Sequence, residues 1–167
     1  MNRILEINDG DVGLETKEDA KFRPRTAARA VLKKGNKIAL LHVSNHHYYK
    51  LPGGGVDKGE TIEQGLKREV MEEVGCTCIV FDEIGEILEH RSQIEEVQTS
   101  HCYLAEVEKE GKPDFTEEEL EGGFELVGVT FDKAVELIKK SKPDTYDGKF
   151  IVVRDLQFLK EARKFFK

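Results

Sequence analysis

Residues 51–76, LPGGGVDKGETIEQGLKREVMEEVGC, decide how this chain is read. Thr61 and Gln64 have capping-box spacing, and Gly75 stands where a helix should stop, so the stretch predicts a helix between them. Ile62, Leu66, Val70 and Val74 fall on one stripe, the side that would pack on a core. Beside that stripe stand Glu69, Glu72 and Glu73, at i, i+3 and i+4, where side chains become neighbours. Adjacent carboxylates repel one another, and ion pairing alone would spread them out or interleave lysines. A divalent cation resolves the repulsion, and all-oxygen ligation favours a hard ion, Mg²⁺ or Mn²⁺. Arg68 can reach a carboxylate and hold its rotamer. Gly65 inside the helix costs about 1 kcal/mol relative to alanine, so packing must compensate. Ahead of the helix, Gly53-Gly54-Gly55 can bend sharply, approach a ligand without a Cβ in the way, and offer carbonyl oxygens to a metal. A Walker A loop is excluded, because Gly59 is followed by Glu60 instead of Lys-Ser/Thr.

Outward from this stretch, the pattern predicts a strand at Ala28–Leu32, a turn at Lys34-Gly35-Asn36, its hairpin partner at Lys37–Val43, and a short strand at Tyr48–Leu51. Residues 1–24 offer a strand at Arg3–Ile7 and otherwise resist assignment. Downstream, strands are expected at Cys78–Phe81, Glu83–Glu89, Gln98–Val107 and Phe124–Val129. Thr130 caps a helix running through Lys140, Ser141–Lys149 is a polar loop, and a packing helix spans about Phe150–Phe165. The fold class is α/β: a mixed sheet covered by helices, as one domain over 1–167 with 1–24 as an N-terminal strand and extension.

With 167 residues the chain can bury a core without staples. The net charge of −7 disfavours DNA and membrane surfaces as partners. A nucleotide substrate stays allowed, since a bound metal reverses the local field. Cys76, Cys78 and Cys102 form no CxxC pair and read as buried, reduced thiols. With no signal-peptide core and no apolar run of membrane length, a cytoplasmic setting is expected. A homodimer is allowed, though nothing in the sequence specifies oligomeric state.

The stretch resembles the Nudix box, G-x5-E-x7-R-E-U-x-E-E-x-G-U, where U is a bulky apolar residue. The matching positions are Gly54, Glu60, Arg68, Glu69, Val70, Glu72, Glu73, Gly75 and Cys76, with only Cys76 a soft fit. Matches at this many positions have a chance on the order of 10⁻⁹ to 10⁻⁸ per window from background residue frequencies, so coincidence is not a competing account. The resemblance implies the α/β/α sandwich of the Nudix hydrolases. It also implies a metal-dependent attack of water on phosphorus in a nucleoside diphosphate linked to a further group. Carried over, Glu69, Glu72, Glu73 and the Gly53 carbonyl would hold the metal, Arg68 would orient Glu69, and Glu60 would assist from the loop. The general base is open between Glu69 and a late glutamate, Glu125 ahead of Glu121, with Gly122 and Gly123 giving that loop freedom to swing.

Glu117, Glu118 and Glu119 read as a solvated acidic turn. Arg29 and Lys50 could contact substrate phosphates from strands facing the acidic helix. His46, His47, Tyr48 and Tyr49 could line a base pocket but fit ordinary loop and strand roles better. His90, Arg91 and His101 have no motif to raise them above strand-edge residues. Family members acting on ADP-ribose often carry a proline about 15 residues past the box, and those acting on dinucleoside polyphosphates a tyrosine. Here no proline lies between Pro52 and Pro113, and no tyrosine between Tyr49 and Tyr103. A (deoxy)nucleoside triphosphate is therefore the default substrate. The alternatives are nucleotide sugars, capped RNA, or a non-catalytic nucleotide sensor on the same fold.

Overall fold

The turn at Gly35 forms, and the hairpin it closes sets the sheet. The computed structural model describes Met1–Lys167. Strand β2 (Arg23–Lys34) meets β3 (Lys37–Val43) only at Lys33–Ile38 and Lys34–Lys37, after which the two diverge. The opening is filled by β4 (Tyr48–Lys50), paired with β3, and β5 (Gly53–Gly55), paired with β2. Beyond β2 lie β7 (Glu96–Lys109), β6 (Thr77–Arg91) and β1 (Arg3–Asn8); beyond β3 lies β8 (Phe124–Val129). The β2–β7 and β1–β6 pairs are parallel and the others antiparallel, so the sheet is mixed, as expected.

Two apolar layers hold helices on opposite faces. Alternation along β2 sends Ala28, Ala30 and Leu32 to one side, where they pack with Leu66, Val70 and Val74 of α1 (Ile62–Val74). Val31 goes to the other side, with Ile38, Leu40, Ile87 and Leu104. There it meets Phe131, Ala134 and Ile138 of α3 (Phe131–Lys140) and Phe150, Phe158 and Leu159 of α4 (Tyr146–Ala162). The α/β/α sandwich follows from these two faces. α1 is punctuated as read: Thr61 and Gln64 form the capping box, and Gly75 ends the helix in the left-handed conformation. All three cysteines are free and buried. No helix is long and apolar enough to cross a membrane.

Three expectations need correction. The strands expected at Cys78–Phe81 and Glu83–Glu89 are one strand, β6. Register shifts at Val80/Asp82 and Glu83/Gly85 absorb the polar interruption that reads as a break in one dimension. The loop over Ser141–Lys149 ends early, because Thr145 caps Gly148 and starts α4 at Tyr146. The acidic turn is helical: Thr116 and Glu119 form a second capping box over α2 (Glu117–Glu121).

Candidate active site

A cleft of roughly 340 Å³ lies at the opening of the sheet, where α1, the glycine strand, α2 and the start of α4 converge. Glu69, Glu72 and Glu73 line it together with Gly53, Gly54 and Gly55. The glycines are there for contact reasons. Gly53 has φ +134 and lies against the Ala28 carbonyl. A Cβ on Gly54 would stand 2.5 Å from the Glu69 carboxylate.

Each carboxylate of α1 has a different neighbourhood. Arg68 donates from Nη1 to Glu69 Oε1 at 2.7 Å and from Nη2 to the Gly55 carbonyl at 2.9 Å. The same guanidinium grips Glu60 in a two-point contact, at 2.8 and 3.0 Å. Glu60 thus acts from behind the cleft, holding the residue that holds Glu69, instead of touching the cleft itself. Its hydrogen bonds to Arg68 and to the Asp57 N–H keep its pKa down at about 2. Glu72 is half-buried, and burial together with the charge of Glu69 pushes its carboxyl upward.

Glu73 is buried at 2% exposure. It accepts from Lys50 Nζ at 2.9 Å and from the Gly53 N–H at 2.9 Å. Burial raises its pKa to about 6 against the pull of Lys50. Lys50 also donates to the Gly53 carbonyl at 3.2 Å. Its ammonium therefore lines the cleft between two of the oxygens expected to bind metal.

No three acidic side chains converge as a ready-made metal cluster in this arrangement, in which Arg68 holds Glu69 and Lys50 holds Glu73. The donor set nevertheless fits a hard divalent cation. Carboxylate and carbonyl oxygens line one cleft, a local cation already bridges Gly53 and Glu73, and the glycines leave clear the space a Cβ would fill.

The late glutamates are placed differently from the reading. Glu125 is exposed on β8 and lies 3.6 Å from His42, while Glu121 is exposed at the end of α2, its carbonyl held by Asn45. Neither lines the cleft. Glu118 and Glu119, read as solvated, do line it. The reason is the helix: the first turn of α2 lies at the cleft with α1, and Glu72 feels the charge of Glu119. Glu119 is occupied in its own capping box, accepting from the Thr116 N–H at 2.9 Å, which leaves Glu118 as the carboxylate without a partner. Tyr48 lines the cleft; His46 turns to Asp144 instead, at 3.0 Å.

The other wall of the cleft is basic, with Arg25, Arg29 and Arg91. Arg29 shares a face of β2 with Val31, so it projects to the α4 side of the sheet and reaches the cleft through the opening, not from a strand facing α1. Beneath lies a buried network. Glu89 accepts from Arg91 at 2.8 Å, Gln98 at 2.8 Å and Ser100 at 2.7 Å, and Arg154 lies 3.5 Å away. Burial opposes charge on Glu89, but Arg154 and Arg91 outweigh it and hold its pKa at about 2. Asp155 accepts from Arg154 at 2.8 Å and from the Leu51 N–H at 2.8 Å, which anchors the chain just before the glycines. Sequence reasoning passed over Arg91, Arg154 and Asp155. The available signal was that Arg154 and Asp155 interrupt the apolar stripe of α4, four residues after Phe150 and Ile151 and four before Phe158 and Leu159.

A larger groove of roughly 670 Å³ lies past the C-terminal end of α1, lined by Leu32, Ile38, Val74, Cys76 and Leu126 among others. It contains none of the box carboxylates.

Comparison with known proteins places this geometry. Over 58 residues the chain is 38% identical to the RNA pyrophosphohydrolase of Wolbachia pipientis subsp. Culex pipiens, covering 35% of this chain and 36% of that protein. Over 57 residues it is 40% identical to the ADP-ribose pyrophosphatase of Methanocaldococcus jannaschii, covering 32% and 34%. The chain thus matches about a third of the length of these curated relatives. In structure it is similar to a NUDIX hydrolase from Nitrosomonas europaea, with TM-score 0.63 and 15% identity over 87% of this chain and 92% of that one. It is also similar to an ADP-ribose pyrophosphatase from Streptococcus suis 89-1591, with TM-score 0.55 and 19% identity over 85% and 93%. These likenesses concern the fold. The family model for the NUDIX domain matches residues 22–147, most of the chain, which takes in the hairpin, the acidic helix and the start of α4. The chain belongs to the NUDIX domain family.

Proposed function

We propose that this chain hydrolyses a diphosphate linkage in a nucleoside diphosphate derivative, with a (deoxy)nucleoside triphosphate as the substrate and Mg²⁺ or Mn²⁺ as cofactor. The observation that carries the proposal is one cleft lined by Glu69, Glu72, Glu73 and the glycine strand, with Arg68 fixing Glu69. Glu69, Glu72, Glu73 and the Gly53 carbonyl would hold the metal. When bound, it would neutralise the diphosphate and lower the pKa of a water molecule. The chain's own residues do the rest. The glycine strand lets the diphosphate approach the backbone, and Arg68 with Glu60 behind it keeps Glu69 in place. Water attacks phosphorus: a new P–O bond forms, the anhydride P–O bond breaks, and the leaving phosphate takes the electron pair. A carboxylate accepts the proton of the water; the presence of Glu118 in the cleft lining supports it for this role ahead of Glu121 and Glu125.

A non-catalytic sensor is the weaker reading, since every box carboxylate is present. Nucleotide sugars and 5′-ended RNA are separated by the same experiment. It is a phosphate-release screen over nucleoside triphosphates, ADP-ribose, a nucleotide sugar and 5′-triphosphate RNA, with Mg²⁺, with Mn²⁺ and with EDTA. Metal-dependent turnover of triphosphates, abolished by EDTA, is expected; full activity in EDTA, or none on any diphosphate, sinks the proposal.

A further inference from the structure

One guanidinium of the basic wall makes no ion pair of its own. Apart from Asp9, which accepts from Tyr146 Oη and the Ser92 N–H, the buried ionised side chains are Arg29, Lys50, Arg91 and Arg154 against Glu73, Glu89 and Asp155. Lys50 is matched by Glu73, Arg91 by Glu89 and Arg154 by Asp155. Arg29 is left over. It is 5% exposed, its Nη1 donates only to the Ala28 carbonyl at 3.0 Å, and its Nε is buried without a partner. Burial first, then the nearby cation Arg154, lowers the Arg29 pKa to about 10, against the opposing pull of Asp155, Glu73 and Glu89, none of which touches it. An unmatched guanidinium out of water is strongly unfavourable unless an anion joins it.

The neighbours extend this positive patch toward the cleft mouth. Arg91, 3% exposed, also has a buried Nε with no partner. Its Nη1 lies 3.1 Å from Asp147, a carboxylate 60% exposed at the cleft, and 3.9 Å from Glu96. Arg25 lies at the rim, steered by Gln98 at 2.5 Å and packed so closely on Gly55 that a Cβ there would stand 2.8 Å from its Nη2. All three arginines line the same cleft as Glu69 and Glu73.

We propose that Arg29, Arg91 and Arg25 form a phosphate subsite that works without metal and holds a substrate phosphate not bridged at the acidic wall. The cleft then selects a triphosphate over a diphosphate whose far side is a neutral sugar. The selectivity part rests on the hydrolase reading above; phosphate binding does not. Planar guanidinium groups suit phosphate oxygens. The subsite also gives a use to a buried guanidinium whose Nε has no hydrogen-bond partner.

The test is thermal denaturation of the full chain in EDTA, with and without inorganic phosphate, for wild type, Arg29→Met and Arg25→Met. Phosphate should raise the wild-type Tm. Arg29→Met should abolish that rise while its own phosphate-free Tm is no lower than wild type, because an unmatched buried charge has been removed. Arg25→Met, at the rim, should fold normally and show a reduced rise. With Mg²⁺, Arg29→Met should raise KM for a nucleoside triphosphate roughly 10-fold or more, the scale of one charge-assisted hydrogen bond, and leave KM for ADP-ribose unchanged. Absence of phosphate stabilisation in wild type, or equal stabilisation in all three proteins, overturns the subsite. Equal KM changes for both substrates overturn the selectivity. Phosphate binding that depends on Arg29, in a protein that hydrolyses nothing, would leave the subsite standing and sink only the hydrolase reading.

Discussion

The two walls of the cleft are built in opposite ways. The acidic wall comes from one unbroken stretch, with Glu69, Glu72 and Glu73 within a single turn or so of α1 and their brace, Arg68, in the same helix. The basic wall is collected from β2 and β6, residues far apart in sequence, and rests on the Glu89–Arg154–Asp155 network that α4 completes in the interior. The acidic side chains, Glu73 excepted, keep some access to solvent, whereas Arg29, Arg91 and Arg154 are buried. Chemistry placed on a helix face can be changed with little effect on folding. Charge placed in a core couples function to stability. That contrast can be broken by experiment from either side.

The largest effect should come from the interior. Asp155→Ala removes the partner of Arg154 and the acceptor of the Leu51 N–H, and breaking such a pair typically costs about 3–5 kcal/mol. Urea denaturation should show it; a loss below about 1 kcal/mol would mean the network is not holding the fold.

The same network sets an acid limit. The Glu89 pKa is depressed to about 2 from its ordinary 4.5, so the stability it contributes is complete above about pH 4.5 and is lost as pH falls from there through about 2. Glu89→Gln should flatten the stability profile across that window. An unchanged slope in a pH series of melts would contradict the assignment.

On the acidic wall, Glu69→Gln should lower kcat by at least ~100-fold while leaving the melting temperature near wild type, since one catalytic group is removed from a helix face. If both fell together, the two walls would not differ as described.

Glu118→Gln sharpens the comparison further. It should lower kcat by roughly 10-fold or more and shift the acidic limb of the pH–rate profile, while Glu121→Gln and Glu125→Gln stay near wild type. The opposite ranking would return the base to the β8 end of the loop.

Smallest is the local punctuation of α1. Thr61→Ala removes the cap that accepts from the Gln64 N–H and should cost about 1 kcal/mol, measured by denaturation with kcat intact.

What could be read from the residues alone follows the same division. The cap at Thr61, the stop at Gly75, the stripe of Leu66, Val70 and Val74, and the contact between Arg68 and Glu69 all belong to one helix and its ends, and each joins residues only a few positions apart. Local geometry decides such features, so spacing is enough to find them. The placement of the late glutamates is not legible, because a short helix over Glu117–Glu121 resembles a solvated acidic run and only the fold turns Glu118 to the cleft. The pairing of Lys50 is not legible because its partner, Glu73, lies in another element.

By itself, then, the sequence determined the family, the α/β layering and the acidic face, because these follow from periodicity and from a motif contiguous along the chain. Only the tertiary structure decided which glutamate of the late loop faces α1, why Arg154 and Asp155 interrupt an apolar stripe, and that Arg29 stands buried without a counter-ion. Those facts depend on how β2 and β3 part to admit the glycine strand and on what α4 brings beneath it. Burial and ion pairing are sums over neighbours from distant parts of the chain, and no local spacing records them.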